Sequence, residues 1–161
     1  MKVINENIIN TKAEVIAHQC NCVGDVAGGV AAAIFKKWPI CNDYIRKTHG
    51  QFGSCKAHEV EDGKYVVNMF SQYWPGGQSD DPKDSAQKRE HAFIHCLDWI
   101  VDWVEEMQKD DPTFKPLITF PFLIGCGIAG GNWAKYHAML LYYDEVLSKL
   151  GVTTQLSKFQ P

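Results

Sequence analysis

The sequence predicts an α/β fold with helices on both faces of a mixed sheet. Three observations predict it. Short apolar stretches of strand character alternate with stretches of helical length and periodicity. A single Asp-Gly turn, Asp62-Gly63, marks one inserted hairpin. Two glycine-rich segments, Asn21–Val30 and Gly125–Trp133, each sit where a strand runs into a helix.

The elements follow in order. Lys2–Ile4 reads as a short first strand and Glu14–Gln19 as a second, apolar enough to be buried. The Asn21–Gly29 loop leads into an alanine-rich helix over Gly28–Lys37. Trp38-Pro39 ends it, because a residue before proline is driven out of the helical region. Asn42–Thr48 reads as a further helical piece. Cys55–Glu61 and Lys64–Phe70 form the hairpin, and Tyr73–Lys83, with its prolines and glycines, forms a long loop. A helix from Ser85 to Gln108 puts Ala92, Ile94 or His95, Leu97, Ile100, Val101 and Val104 near one side. Leu117–Phe122 is a dense apolar strand of the sheet centre. The second glycine segment follows, then a helix over Ala134–Lys149 stopped by Gly151, and a last strand over Val152–Ser157.

A length of 161 residues suits one domain spanning 1–161, with a core that needs no staples. A net charge of -3 argues against a broad basic surface, so long nucleic acid is not an expected partner. No apolar run spans a bilayer, and Met1–Glu6 turns polar at once, so a cytoplasm-like compartment and no membrane partner are expected. The six cysteines are scattered and read as small buried residues or free thiols. Cys20-Asn21-Cys22 beside His18 lacks a zinc spacing, and His91 and His95 lack a third ligand, so no metal is expected. No cofactor is asked for either.

The two glycine segments carry the chemistry. Glycine lets backbone amides approach an anion closely, and a helix N-terminus adds partial positive charge. One such loop also serves as a plain tight turn. Two loops at equivalent strand ends suit a diphosphate held from both sides. Neither is a P-loop, since no Lys-Ser or Lys-Thr follows the glycines, and neither fits the dinucleotide fingerprint.

Ile16–Cys22 running into Ala27–Ile34, together with Ile124–Trp133, resembles the two ligand loops of the macrodomains, which bind ADP-ribose. The His-x-Cys-Asn-Cys and Gly-Cys-Gly-Ile forms resemble a branch that includes ADP-ribose-1''-phosphate phosphatases and terminal ADP-ribose protein glycohydrolases. The resemblance implies a three-layer α/β/α fold with a mixed central sheet. It also implies ADP-ribose or ADP-ribose-1''-phosphate as ligand, and an ADP-ribosylated macromolecule as a further partner.

By that resemblance Asn7 and Ile8 stand at the adenine end, where Asn7 replaces the family's aspartate and still accepts through its amide oxygen. Asn21 faces the distal ribose. Gly28, Gly29 and Val30 bring amides to the diphosphate from one loop, and Gly125, Cys126, Gly127, Ile128, Ala129 and Gly130 from the other. His18, Asn21 and Asp25 are the catalytic candidates. His18 reads equally as a proton shuttle and as a satisfied buried strand histidine, and Asp25 as a base or a solvated loop residue. Tyr73 and Trp74 read as a lid or as edge cover. The glycohydrolase branch uses a lysine after the middle strand and an aspartate in the second loop. Phe70–Trp74 holds no lysine, and Ala129 stands in the aspartate's place, so a lysine adduct is not expected. The expected function is ADP-ribose binding with hydrolysis of an ADP-ribose derivative, foremost the 1''-phosphate ester. The alternatives are a non-catalytic sensor and a mono-ADP-ribosyl ester hydrolase.

Overall fold

In the computed structural model, which describes residues 1–77 and 79–159, the centre of the sheet is a pair of parallel strands. They are β2 (Val15–Asn21) and β5 (Leu117–Pro121), preceded in the chain by an edge strand β1 (Lys2–Asn5). The hairpin strands β3 (Cys55–Glu61) and β4 (Lys64–Gln72) lie on one side, and β6 (Thr153–Lys158) on the other. The order is β1-β6-β5-β2-β4-β3. All neighbours run parallel except β3 and β4, whose Asp62-Gly63 turn puts Gly63 at φ 73°.

Side chains alternate across the sheet as a period of two requires. On β2, Val15 and Ala17 enter one core while Ile16 and Cys20 enter the other. On β4, Val67 and Met69 divide from Val66 and Phe70 in the same way. The first core is closed by α3 (Ala86–Asp110) and α4 (Trp133–Ser148), the second by α1 (Gly29–Lys37) and the one-turn α2 (Asp43–Arg46). The result is three layers, α/β/α. Ser85 caps α3 through Lys88 N–H and Asn132 caps α4 through Lys135 N–H, so both starts are set by side-chain acceptors. The buried stripe of α3 is Arg89, Ala92, Phe93, Cys96, Leu97, Ile100 and Val104. Of the residues expected on that face, His95 is exposed and Ile94 and Val101 only half-buried, because Phe93 and Cys96 occupy the centre. The helical piece expected over Asn42–Thr48 ends at Arg46, where Lys47 turns left-handed at φ 55°.

The topology itself opens a crevice. From β2 the chain leads through α1 to the hairpin on one side, whereas from β5 it leads through α4 to β6 on the other. Strand order therefore reverses between β2 and β5, and ligands of open α/β sheets bind at such a switch. The two strands register only at Val15↔Ile118 and Ile16↔Thr119, so beyond those pairs their carboxyl ends are free to diverge.

Phe93 is fully buried and packs on the Tyr136 ring at 4.7 Å, joining α3 to α4. Phe93→Ala should lower unfolding free energy by about 3–5 kcal/mol in a urea titration. A loss under about 1 kcal/mol would show that this contact does not hold the first core together.

Candidate functional site

Three contiguous cavities form one groove over the crevice. The first, about 690 Å³, is lined by Asn7, Ile8, Val30, Phe122, Leu123 and Phe159 among others. A middle cavity of about 370 Å³ lies between Gly28, Gly29, Val30 and Ala31 on one side and Gly125, Gly127, Ile128 and Ala129 on the other. The far cavity, about 330 Å³, is lined by Gln19, Asn21, Tyr44, Gln72, Pro75 and Gly76, with Ile128 and Ala129 again. Shared residues link each to the next. The groove thus brings together every expected ligand-binding residue except Cys126 and Gly130, which line neither its middle nor its ends.

Both glycine loops leave amides unspent. Gly29, Val30 and Ala31 open α1 and have no intrahelical acceptor, as the first turn of any helix demands. In the second loop Gly130 N–H donates to Gly127 O and Gly131 N–H to Gly125 O. Gly127, Ile128 and Ala129 amides have no acceptor among the described residues. The glycines divide by what a methyl group would meet. At Gly131 it would press to 2.4 Å from Gly125 O, and at Gly125 (φ 77°) to 2.5 Å from the Tyr136 ring, so both serve packing. At Gly28, Gly29 and Gly127 it would meet nothing, so there the absent side chain leaves groove space open. Val26 and Ile128, each 79% exposed, stand at the tips of the two loops and leave apolar surface at the groove mouth.

Of the catalytic candidates, His18 lines the middle cavity and Asn21 the far one, whereas Asp25 lines none of the three. His18 is 1% exposed, with its ring edge-on to Phe35 at 5.4 Å. Asn68 Nδ2 donates to Cys41 O and to Asp43 Oδ2, both acceptors at 2.8 Å, so its Oδ1 must face His18. His18 Nε2 therefore donates to Asn68 Oδ1 at 2.7 Å, which fixes the tautomer. Burial lowers the His18 pKa to about 4, against smaller raising effects of the Asn68 bond and the Asp43 charge. Behind it, Asp43 binds His58, Thr48 and Asn68. Burial works to raise this carboxyl, but those three bonds outweigh it and leave the pKa lowered.

Asn21 spends its side-chain oxygen on its own loop, accepting from Val23 N–H at 3.2 Å and Gly24 N–H at 2.5 Å. Its backbone N–H donates to the Tyr44 hydroxyl at 2.8 Å. His49 stacks on Tyr44 and donates from Nε2 to Gly24 O at 2.5 Å. Asp25 is exposed on the same loop, between Gly24 and Val26. Asn7 caps a turn through Ile9 N–H, which leaves its amide group at the edge of the first cavity.

A buried ion pair that sequence reading missed supports the second loop. Arg89 binds Asp84 through Nε at 2.8 Å and Nη2 at 2.7 Å. The same guanidinium donates to the carbonyls of Trp74, Gly76 and Gly77, and at 3.5 Å to Ala129. Asp84 also accepts from the Tyr73 and Trp74 amides. Burial alone would raise the Asp84 pKa, but these bonds hold it below the usual carboxylate range. The Tyr73–Lys83 loop, of which residue 78 lies outside the described residues, is thereby fastened to α3. Trp74 covers the loop itself, donating from Nε1 to Asp81 at 3.0 Å. The signal in the sequence was a charge on the apolar stripe of α3, since Arg89, Ala92, Phe93 and Cys96 fall on one face.

Two outcomes follow. Asp84→Ala leaves the Arg89 charge buried without its partner, and should cost about 3–5 kcal/mol in chemical denaturation. An unchanged midpoint would show that the pair is not what anchors the loop. His18, neutral when folded, takes up a proton in the unfolded chain near pH 6.5, so stability is full above that pH. It is lost as pH falls toward about 4, by roughly 3 kcal/mol. His18→Gln should flatten the pH dependence of unfolding between 6.5 and 4, and an unaltered slope would refute the assignment.

No family model matches the chain. An ADP-ribose 1''-phosphate phosphatase of Scheffersomyces stipitis is 29% identical over 147 residues, covering 81% of this chain and 83% of that protein. The macrodomain of Mycobacterium tuberculosis DarG superposes with a TM-score of 0.73 at 14% identity, over 99% of this chain and 97% of the other. A variant of the Oceanobacillus iheyensis macrodomain with ADPR superposes at 0.64 and 15% identity, over 98% and 83%. With its reversed strand order, its two opposed glycine loops and these likenesses, the chain has the macrodomain fold.

Proposed function

We propose that the groove binds ADP-ribose and that the chain hydrolyses a phosphate monoester on its distal ribose. The observation that carries the binding reading is the pair of unspent amide sets, Gly29–Ala31 and Gly127–Ala129, lining one cavity. Hydrogen bonds to a charged acceptor are worth about 1.5–3 kcal/mol each, and a diphosphate offers acceptors to both sets at once. The adenine then lies in the larger cavity beside Asn7, Ile8 and Phe159, and the distal ribose beside Asn21, Tyr44 and Gln72. Likeness to the phosphatase supports hydrolysis at that distal end. In this reading water attacks the phosphorus, and the bond from phosphorus to the ribose oxygen breaks. That oxygen leaves with a proton.

Of the three catalytic candidates, Asp25 is the one carboxylate; it is exposed on the first loop, in no ion pair among the described residues, and is assigned the base. His18 and Asn21 hold the loop, His18 through Asn68 and Asn21 through the Val23 and Gly24 amides. One observation favours the second reading, a binding module without turnover. The described lining of the distal cavity contains no carboxylate and no imidazole.

Calorimetric titration with ADP-ribose tests binding, and Gly28→Ala, which adds a methyl group where the protein leaves space, should weaken it at least tenfold with unchanged stability. No heat with the unsubstituted chain at millimolar ligand ends the binding reading. Phosphate release from ADP-ribose-1''-phosphate tests turnover, and Asp25→Ala should slow it by about 10²–10⁴ while leaving ADP-ribose affinity intact. Binding with only background release would leave the sensor reading in its place.

A further inference from the structure

A fourth cavity, of about 510 Å³, opens beside the distal end of the groove and shares Ala27 with it. Its walls are Ala27, Ala32, Phe35, Pro39 and Ile45, the last 73% exposed. Two cations, Lys36 on α1 and Arg46 on α2, reach it from separate elements. Neither is in an ion pair among the described residues. The surrounding segment, residues 29–47, carries Lys36, Lys37, Arg46 and Lys47 against one carboxylate, Asp43. That carboxylate is buried and bound to His58. A chain of net charge -3 therefore concentrates positive charge at one place, where the diphosphate groove ends.

From this juxtaposition we infer that the Lys36–Arg46 cavity is a second subsite, which takes an acidic side chain of a protein segment whose ADP-ribose group occupies the groove. The inference rests on the ADP-ribose reading of that groove. Ala27 lines both cavities, so a group joined to a distal ribose in the far cavity lies next to this one. Two cations separated by aliphatic walls fit a carboxylate on a short apolar stem, and the Arg46 guanidinium matches its planar shape. A nucleic-acid strand fits less well. The cavity offers no exposed aromatic ring for a base to stack on, since Phe35 is buried, and the chain's net charge opposes a long polyanion.

The full chain and its Lys36→Glu/Arg46→Glu double variant are titrated with three probes. They are ADP-ribose, a peptide ADP-ribosylated on serine and flanked by glutamates, and the same conjugate flanked by glutamines. The unsubstituted chain should bind the glutamate conjugate about five- to tenfold more tightly than the glutamine one, as two partly exposed ion pairs allow. The double variant should lose that preference while keeping its affinity for free ADP-ribose and its unfolding midpoint. Equal affinity for the two conjugates overturns the inference, as does a preference that survives the charge reversal. A fourth probe, an ADP-ribosylated oligonucleotide, also overturns it if the unsubstituted chain binds it more tightly than the glutamate conjugate. Failure of the underlying reading shows separately, as no binding of ADP-ribose by the unsubstituted chain, and removes the inference with it.

Discussion

The site depends on one buried cation. Arg89 lies at the base of the second glycine loop, and its five N–H groups are too many for one carboxylate. Asp84 takes two of its donors. The rest go to carbonyls of Trp74, Gly76 and Gly77, with a longer reach to Ala129. Three of those carbonyls belong to a loop rich in proline and glycine, which has no ladder of its own to satisfy them. A carboxylate and a set of backbone dipoles together offset the cost of keeping the charge out of water. Because those dipoles come from two loops, the same bonds fix where one loop lies against the other.

The first loop is held by a different device with the same logic. It is pinned from the α2 side, by the Tyr44 hydroxyl on Asn21 N–H and by His49 on Gly24 O. Asn21 folds its amide oxygen back onto Val23 and Gly24. The amides of Asn21, Cys22, Val23 and Gly24 are satisfied inside the protein, whereas the Gly29–Ala31 amides at the start of α1 have no acceptor in their helix. The buried row from His58 through Asp43 and Asn68 to His18 stiffens the strand from which this loop departs. A histidine beside the loop thus contributes shape rather than charge.

Much of this was legible in the sequence, and what was not shares one cause. Local signals placed the elements: Asp62-Gly63 for the hairpin, Trp38-Pro39 for the end of α1, and glycines at the ends of two apolar strands. Most residues that line the groove followed, because a loop between strand and helix is contiguous in the chain. Arg89, Asp84, Tyr44 and His49 were missed because their roles exist only across distance. Tyr44 meets Asn21 from 23 residues away, and Arg89 meets Ala129 from 40. For His18, the structure adds the burial that sequence could not show, and burial is a property of the packed fold. Asn21 teaches the same point: it ends β2 and lines the groove, while its amide oxygen is committed to the loop that follows.

Recognition by amides has a consequence for how such a groove responds to its surroundings. A backbone N–H carries no titratable proton, so its hold on a diphosphate does not change with pH as a lysine or histidine contact would. It contributes no net charge either, so under the proposed function a chain of net charge -3 would bind an anion without attracting every polyanion in solution. Selectivity then falls to the two ends of the groove, where side chains replace backbone. Acid sensitivity falls to the fold, through a neutral histidine buried beneath the loop. Under the proposed function, loss of binding at low pH is accordingly a loss of the protein's stability, with the cradle intact in every molecule that remains folded.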